Sequence, residues 1–370
     1  MPRTPEPDED DLATTPPPPP VFHVEQALLG ALLLEPHRLS EITGIGASSF
    51  STAAHAALFG AIGSMPAPDP VEHATDASWL HEVLTVARRQ ARGLSPTYVH
   101  ALVQVCKWPQ HAAAYARIVE AEHARRRLAA AAHRLLHTAH DVSLPHRVTS
   151  VLAEAAAVAG VVDDVAARFP PHAGSLPRTP APPTSAPHDA EAVDEELLLL
   201  ATATAYPASV EQMRWLTADD FTDPLHADLW QCLSALTRRG VPVDPVTVLW
   251  EAQQRGVLGT RTPRELLGLL ADSVGSPEHW GERVLQRSVL ATAHRVGRRI
   301  ESFIDDPATT PYQLVVGSRR ALADLSAARA RWQHATAPPA PAKKPTPTRA
   351  SAAPRAGPPT TKPPAARIAR

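Results

Sequence analysis

Proline placement constrains this chain more than any other feature. Of its 370 residues 40 are proline, roughly twice the usual share. Inside a helix or a central strand each would remove a backbone donor. The prolines cluster: Pro2, Pro5, Pro7 and the run Pro16 to Pro20 open the chain, seven fall between 170 and 188, and ten between 335 and 370. Two blocks of about 145 residues remain between the clusters, close to the usual size of a domain. The division predicts a disordered acidic head over 1–20, a helical domain over 21–168, a proline-rich linker over 169–190, a second helical domain over 191–334 and a disordered basic tail over 335–370.

Charge follows the same division. Glu6, Asp8, Glu9, Asp10 and Asp11 stand against Arg3 in the head, a net of -4; Lys343, Lys344, Arg349, Arg355, Lys362, Arg367 and Arg370 give the tail +7 with no acid. The formal total of -2 therefore hides two oppositely charged ends. No apolar run approaches the roughly 20 residues that cross a bilayer. The acidic, proline-rich start is unlike a secretory signal. Two cysteines, Cys106 and Cys232, sit in different blocks without C-x-x-C spacing, which argues against a disulfide framework or a zinc ribbon. These features predict a cytoplasmic protein, with the basic tail as a route to the nucleoid.

Within the blocks, isolated prolines mark helix starts. Asp223-Pro224, Asp244-Pro245, Thr262-Pro263 and Ser276-Pro277 each set a capping oxygen before a proline at the first helical position, where its missing N–H is no loss. Thr262 with Glu265 and Thr310 with Gln313 have capping-box spacing. Apolar residues at helical spacing predict helices over about 110–140 and 146–168, which would close the first block as an antiparallel hairpin. Leu285, Val289, Val296, Ile300 and Phe303, then Leu314, Val315, Leu322, Leu325 and Trp332, predict a matching hairpin in the second. No segment alternates as a strand does, so the expected class is all-α.

The blocks also resemble each other. A shift of 171 residues places Glu25 on Glu196, Leu28 and Leu29 on Leu199 and Leu200, Phe50 on Phe221, His55 on His226, Leu58 on Leu229 and Phe59 on Trp230. Duplication is the simplest account of agreement at core-type positions.

The residues Val24 to Leu34, with Phe50, His55 and Phe59, resemble the opening of the N-terminal domain of DnaB-type replicative helicases, where an A-E-Q-x-[VL]-L-G helix precedes a D-F-x5-H segment. Asp219-Asp220-Phe221 to His226 and Trp230, then Gly240-Val241-Pro242-Val243-Asp244, are similar to the same family, as are Tyr115 to Glu120 and the run from Arg125 to Leu128. Block two has Glu195-Glu196 where the family has E-Q, and block one has only Ala67-Pro68-Asp69-Pro70 at the central turn. The resemblance implies a helical globule plus a hairpin in each block, copies that pair into a collar, and docking of primase or loaders on that collar. The motor domain of the family carries a G-x4-G-K-[ST] loop to hold phosphates and magnesium. The dipeptide Gly-Lys is absent from this sequence. The expectation is a non-catalytic replication protein that needs no cofactor and binds a helicase, a primase or itself.

Other chemistry reads weakly. His133, His137 and His140 lack the H-E-x-x-H arrangement of a zinc protease and have Arg134 beside them, so a solvated histidine face is expected rather than a metal site. His55 and His226 recur at one repeat position among apolar neighbours, which predicts packed histidines. Neither Cys106 nor Cys232 sits in a Cys/His pattern and both read as simply buried, with Lys107 the one neighbour that would lower the Cys106 thiol's pKa; Asp163-Asp164, Asp219-Asp220 and Asp305-Asp306 are expected to serve as helix caps. Arginines carry more weight: Arg125, Arg126, Arg127, Arg298, Arg299, Arg319 and Arg320 are predicted to meet a partner, by contact with an acidic helix or with phosphates. Lys343, Lys344, Arg349, Arg355, Lys362, Arg367 and Arg370 are predicted to touch nucleic acid without sequence preference, since the tail has no aromatics for base stacking. That second role supports an alternative in which the chain is a DNA-associated regulator.

Overall fold

The computed structural model describes residues 17–171, 190–259 and 261–337. Most of the expected head, linker and tail, including the seven tail bases, lies outside the described residues. Every regular element among the described residues is helical. In the first block these are α1 (Pro20–Leu34), α2 (Ala53–Ser64), α3 (Pro70–His73), α4 (Ser78–Arg88), α5 (Pro96–Val105), α6 (Ala112–His140) and α7 (Arg147–Arg168). The second block has α8 (Ala190–Ala205), α9 (Ala208–Gln212), α10 (Pro224–Arg238), α11 (Pro245–Gln254), α12 (Pro263–Leu269), α13 (Pro277–Asp305) and α14 (Pro311–Ala335).

The four proline starts are capped as their spacing predicts. Asp223 accepts from the Leu225 amide at 2.8 Å, Asp244 from Val246 and Thr247, Thr262 from Glu265 and Ser276 from His279. Thr310 and Gln313 close a reciprocal box at 2.8 and 3.3 Å. The repeats differ in one element. Pro70 and Pro96 lie 26 positions apart, Pro245 and Pro263 only 18; α4 packs on α2 as α11 packs on α10, so the extra element in block one is the short α3 that precedes α4.

The cores are divided differently from the blocks. One core belongs to the first globule alone and contains Leu28, Leu32, Leu58, Val83, Leu102 and Val119. The other starts halfway along α6, at Ala124, and runs through α7 and on through the whole second block. Each hairpin is therefore buried against the other one. α6 and α13, both of 29 residues, are about 43 Å long at the usual rise and cross antiparallel: the His140 ring lies 4.6 Å from that of His294, and His133 lies 3.1 Å from Glu301. α7 and α14 run side by side and antiparallel, with Asp163 meeting Arg319 at 2.7 Å while Leu152 and Ala155 line a crevice with Leu325 and Arg329. The result is a four-helix bundle built from both repeats, as expected for helices whose apolar stripes are too rich in alanine to bury much area alone. Ala131, Ala132, Ala139, Ala293, Ala321 and Ala328 are all buried.

Close approach at the crossing depends on Gly297. A Cβ there would stand 2.6 Å from Leu136 Cγ and 2.7 Å from its Cδ2. Overpacking of this kind costs about 1–3 kcal/mol. Gly297→Ala is expected to lower stability by that amount in urea titration, and adding Leu136→Ala should recover part of the loss by making room for the methyl. Burial holds the His294 imidazole below its ordinary value, and His140 and Arg298 add repulsion against the charged form while Glu301 opposes them. The unfolded chain then takes up the proton more readily, so bundle stability is present at neutral pH and is lost as pH falls below about 6.5. His294→Asn should flatten the pH dependence of the melting temperature between about 7 and 5.

Candidate interaction surfaces

Each globule is organised around a buried carboxylate and a histidine 30 positions later. In block one, Glu25 on α1 accepts from the Ser51 amide at 2.7 Å, the Ser51 hydroxyl at 2.8 Å and His55 Nδ1 at 2.6 Å. His55 Nε2 faces the Tyr98 hydroxyl at 2.6 Å. In block two, Glu196 takes the Thr222 amide at 2.5 Å, the Asp223 amide at 3.3 Å and His226 Nδ1 at 2.8 Å. Both carboxylates therefore hold the residues that lead into the following helix, whose own caps are Thr52 and Asp223, and tie that helix to the first one. Glu25 and His55 are fully buried, so this polar cluster is closed to any substrate and its role is architectural, as the histidine positions suggest. Burial also pushes the Tyr98 hydroxyl above its ordinary value.

An arginine fastens each globule to the bundle. In block one Arg126 donates to the carbonyls of Ser49 and Phe50 at 2.6 and 3.1 Å. In block two Arg331 on α14 pairs with buried Asp220, which also accepts from Ser288 at 2.6 Å and from the Thr217 amide at 2.8 Å. Glu195 is gripped by Arg283 at 2.9 Å and Arg287 at 2.5 Å. Burial alone would raise this carboxyl, but the two guanidiniums overcome it and hold it below the usual range.

The seven arginines predicted to meet a partner occupy different environments. Arg125 donates to the carbonyls of Ile304, Asp306 and Thr309, the last at 2.6 Å, so it closes the α13–α14 turn from the other repeat. Arg126 is held as described. Arg127 pairs with Asp164 across the first hairpin, and Arg319 with Asp163 across the two hairpins. Arg298 is exposed beside Glu301, Arg299 lies 4.0 Å from Asp324, and Arg320 is exposed. The set is thus spread over the bundle, with Arg298, Arg299 and Arg320 on its outside.

Two expectations need correction. Asp163 and Asp164 lie inside α7 and make cross-helix ion pairs rather than caps, whereas Asp220 does close a capping box on Thr217 while also binding an arginine and a serine. Burial raises the Cys106 thiol despite Lys107, and pushes Cys232 up to about 11, which makes both poor nucleophiles. His133, His137 and His140 are all exposed, as a solvated histidine face requires, with His133 near Glu301 and His140 near His294 at the edge of the seam with α13. Among the described residues no three His, Cys, Asp or Glu side chains are placed to hold a metal ion, and no helix is long and apolar enough to cross a membrane. A groove of about 490 Å³ on the second globule, between α9 and α10, has a floor of Met213, Leu216 and Trp230 and a rim that includes Arg214 and Arg238. Nothing in the sequence marks it, because its walls come from segments that read only as core helices.

The chain matches the family described as "DnaB-like helicase N terminal domain" over residues 17–121 and again over 186–284. No curated protein and no solved structure matches it. The two matches stop near the middle of α6 and the start of α13, so the conserved pattern is the globule and the bundle lies largely beyond it.

Removing the Glu25 carboxylate would leave the buried His55 ring without its acceptor, while the two Ser51 donors lie on an exposed residue and can turn to water. Glu25→Ala is expected to cost about 1–3 kcal/mol and to speed amide exchange in α1 and α2, while α8 and α10 keep their protection.

Proposed function

We propose, from the premise that this chain belongs to the DnaB-like helicase N-terminal domain family and holds two copies of it, that it acts in DNA replication as a preassembled pair of such domains which docks on a helicase or primase. The observation that carries the reading is the four-helix bundle. Domains of this kind are expected to pair into a collar, and here the two hairpins already bury each other within one chain. Arg298, Arg299 and Arg320 on the outer bundle, and the arginine-rimmed groove of the second globule, are the faces that suit an acidic partner.

The tail supports a second reading. Its +7 charge without an acid suits non-specific contact with nucleic-acid phosphates and regulation of DNA-bound complexes.

Purified chain immobilised with and without residues 335–370 distinguishes the two. Partner capture should survive the deletion, and DNA retention should vanish with it and with doubled salt. The double variant Arg299→Glu, Arg320→Glu is expected to weaken helicase or primase binding roughly tenfold with little effect on folding, since the Arg299 pair with exposed Asp324 is of the kind that contributes little. Failure of wild-type chain to bind either protein would sink the first reading.

A further inference from the structure

Between Glu82 and Glu120 the sequence has no acid, and three of the bases there, Arg88, Arg89 and Arg92, fall at the end of α4 and in the turn that follows it. All three are exposed. Arg88 Nε donates to the Leu94 carbonyl at 2.8 Å, so its guanidinium stands over the turn that leads into α5. Among the described residues no carboxylate pairs with any of the three. The carbonyl end of a helix favours a cation, but three guanidiniums within one turn also repel one another.

The second repeat treats the same place differently. Arg255 follows α11 as Arg89 follows α4, and Glu251, one turn earlier, holds it at 2.9 Å. One turn before Arg89 the residue is Thr85, and Gln254 and Leu258 stand where block one has Arg88 and Arg92. The segments that lead into the two globules differ in step with this. Residues 172–189, ahead of α8, hold only Asp189 and Arg178 as acid and base, whereas the head ahead of α1 holds Glu6, Asp8, Glu9, Asp10 and Asp11 against Arg3.

Position agrees with charge. α1 and α5 run side by side in the same sense: the Phe22 ring lies 4.8 Å from that of His55, which faces Tyr98 in the first turn of α5, and farther along Gly30 lies against Leu102 and Cys106. The Ser95 hydroxyl accepts from the Tyr98 amide at 3.1 Å, so the chain enters α1 beside the turn that Arg88 closes. The five acids lie 9 to 14 residues before Pro20, a span of about 30–45 Å when extended, which is enough to reach that turn.

We propose that the acidic head docks through residues 6–11 on Arg88, Arg89 and Arg92 of its own chain and covers this basic turn. Exposed ion pairs are individually weak and are screened by salt. A short tether holds the head at a roughly millimolar local concentration, so several weak pairs acting together suffice. The turn is then closed to an outside polyanion until the head is displaced. This inference is independent of helicase or primase binding and is tested on the pure chain alone.

A nitroxide carried on Thr4→Cys in the full chain reads the contact through broadening of isotope-labelled backbone amides, because Cys106 and Cys232 are buried with raised thiol pKa values and stay unlabelled. At about 20 mM salt the amides from Arg88 to Leu94 should lose most of their intensity. At about 0.5 M salt they should regain it, as the screening length falls from about 20 Å to about 4 Å. Neutralising the head with Asp8→Asn, Glu9→Gln, Asp10→Asn and Asp11→Asn alters no residue of the described helices, and should restore most of the intensity at low salt. Arg89→Gln with Arg92→Gln should do the same with unchanged melting. Full intensity from Arg88 to Leu94 at low salt would overturn the assignment and leave the turn to an outside polyanion. Broadening that survives both sets of substitutions would also overturn it, as would equal broadening when nitroxide and isotope label are on different molecules, which would give the turn to the head of another copy.

Discussion

The contact on which the rest of the structure depends is the crossing of α6 and α13, where Gly297 lets Leu136 sit against helix backbone. Without a Cβ at that point the two helices approach closely enough for small side chains such as Ala131, Ala132 and Ala293 to be fully buried. Alanine contributes little area per residue, so such a seam is stable only at close range and over a long overlap. Both conditions come from the length of the two helices. Arg125, reaching from one repeat to three carbonyls at the turn of the other, fixes the register along that overlap.

Duplication has kept some solutions and changed others. The Glu–His tie between first and second long helices is the same in both globules, because the lead-in to the second helix must be anchored in both. The fastening of globule to bundle differs: block two uses the buried Asp220 with Arg331 from α14, and block one has Ser49 at the equivalent place and uses Arg126 from α6 on bare carbonyls. A carboxylate that takes an arginine, a serine and an amide is costly to bury unless every partner is present, whereas carbonyls already in the chain carry no such demand. The repeats also diverge around the central turn, where block one adds the short α3 ahead of α4, the helix in the packing role of α11.

Much of the fold was legible because capping chemistry is local. Asp244-Pro245 or Thr262-Pro263 states a helix start through four residues, and the structure places those starts there. The histidines at 55 and 226 were legible as packed residues from their apolar neighbours. Their carboxylate partners were not, since Glu25 and Glu196 lie 30 positions away and look like surface glutamates at the head of a helix. Arginine roles were the least legible: Arg125, Arg126 and Arg127 are adjacent in sequence, yet one closes a turn of the other repeat, one grips its own globule and one pairs across its hairpin, because a helix turns about 100° per residue and sends neighbours to different elements.

The sequence by itself determined the helical class, the positions of the helix ends, the repeat and the family pattern of the globules, all of which rest on interactions within a few residues or on spacing along one helix. Tertiary structure alone decided that the two hairpins pair with each other. It also decided that one core crosses from the first block into the second. Those outcomes depend on which of several similar stripes meet in space. An alanine-rich stripe repeated four times does not say which copy will cover it; complementary shape at Gly297 and Leu136, and the reach of Arg125 to the opposite turn, do.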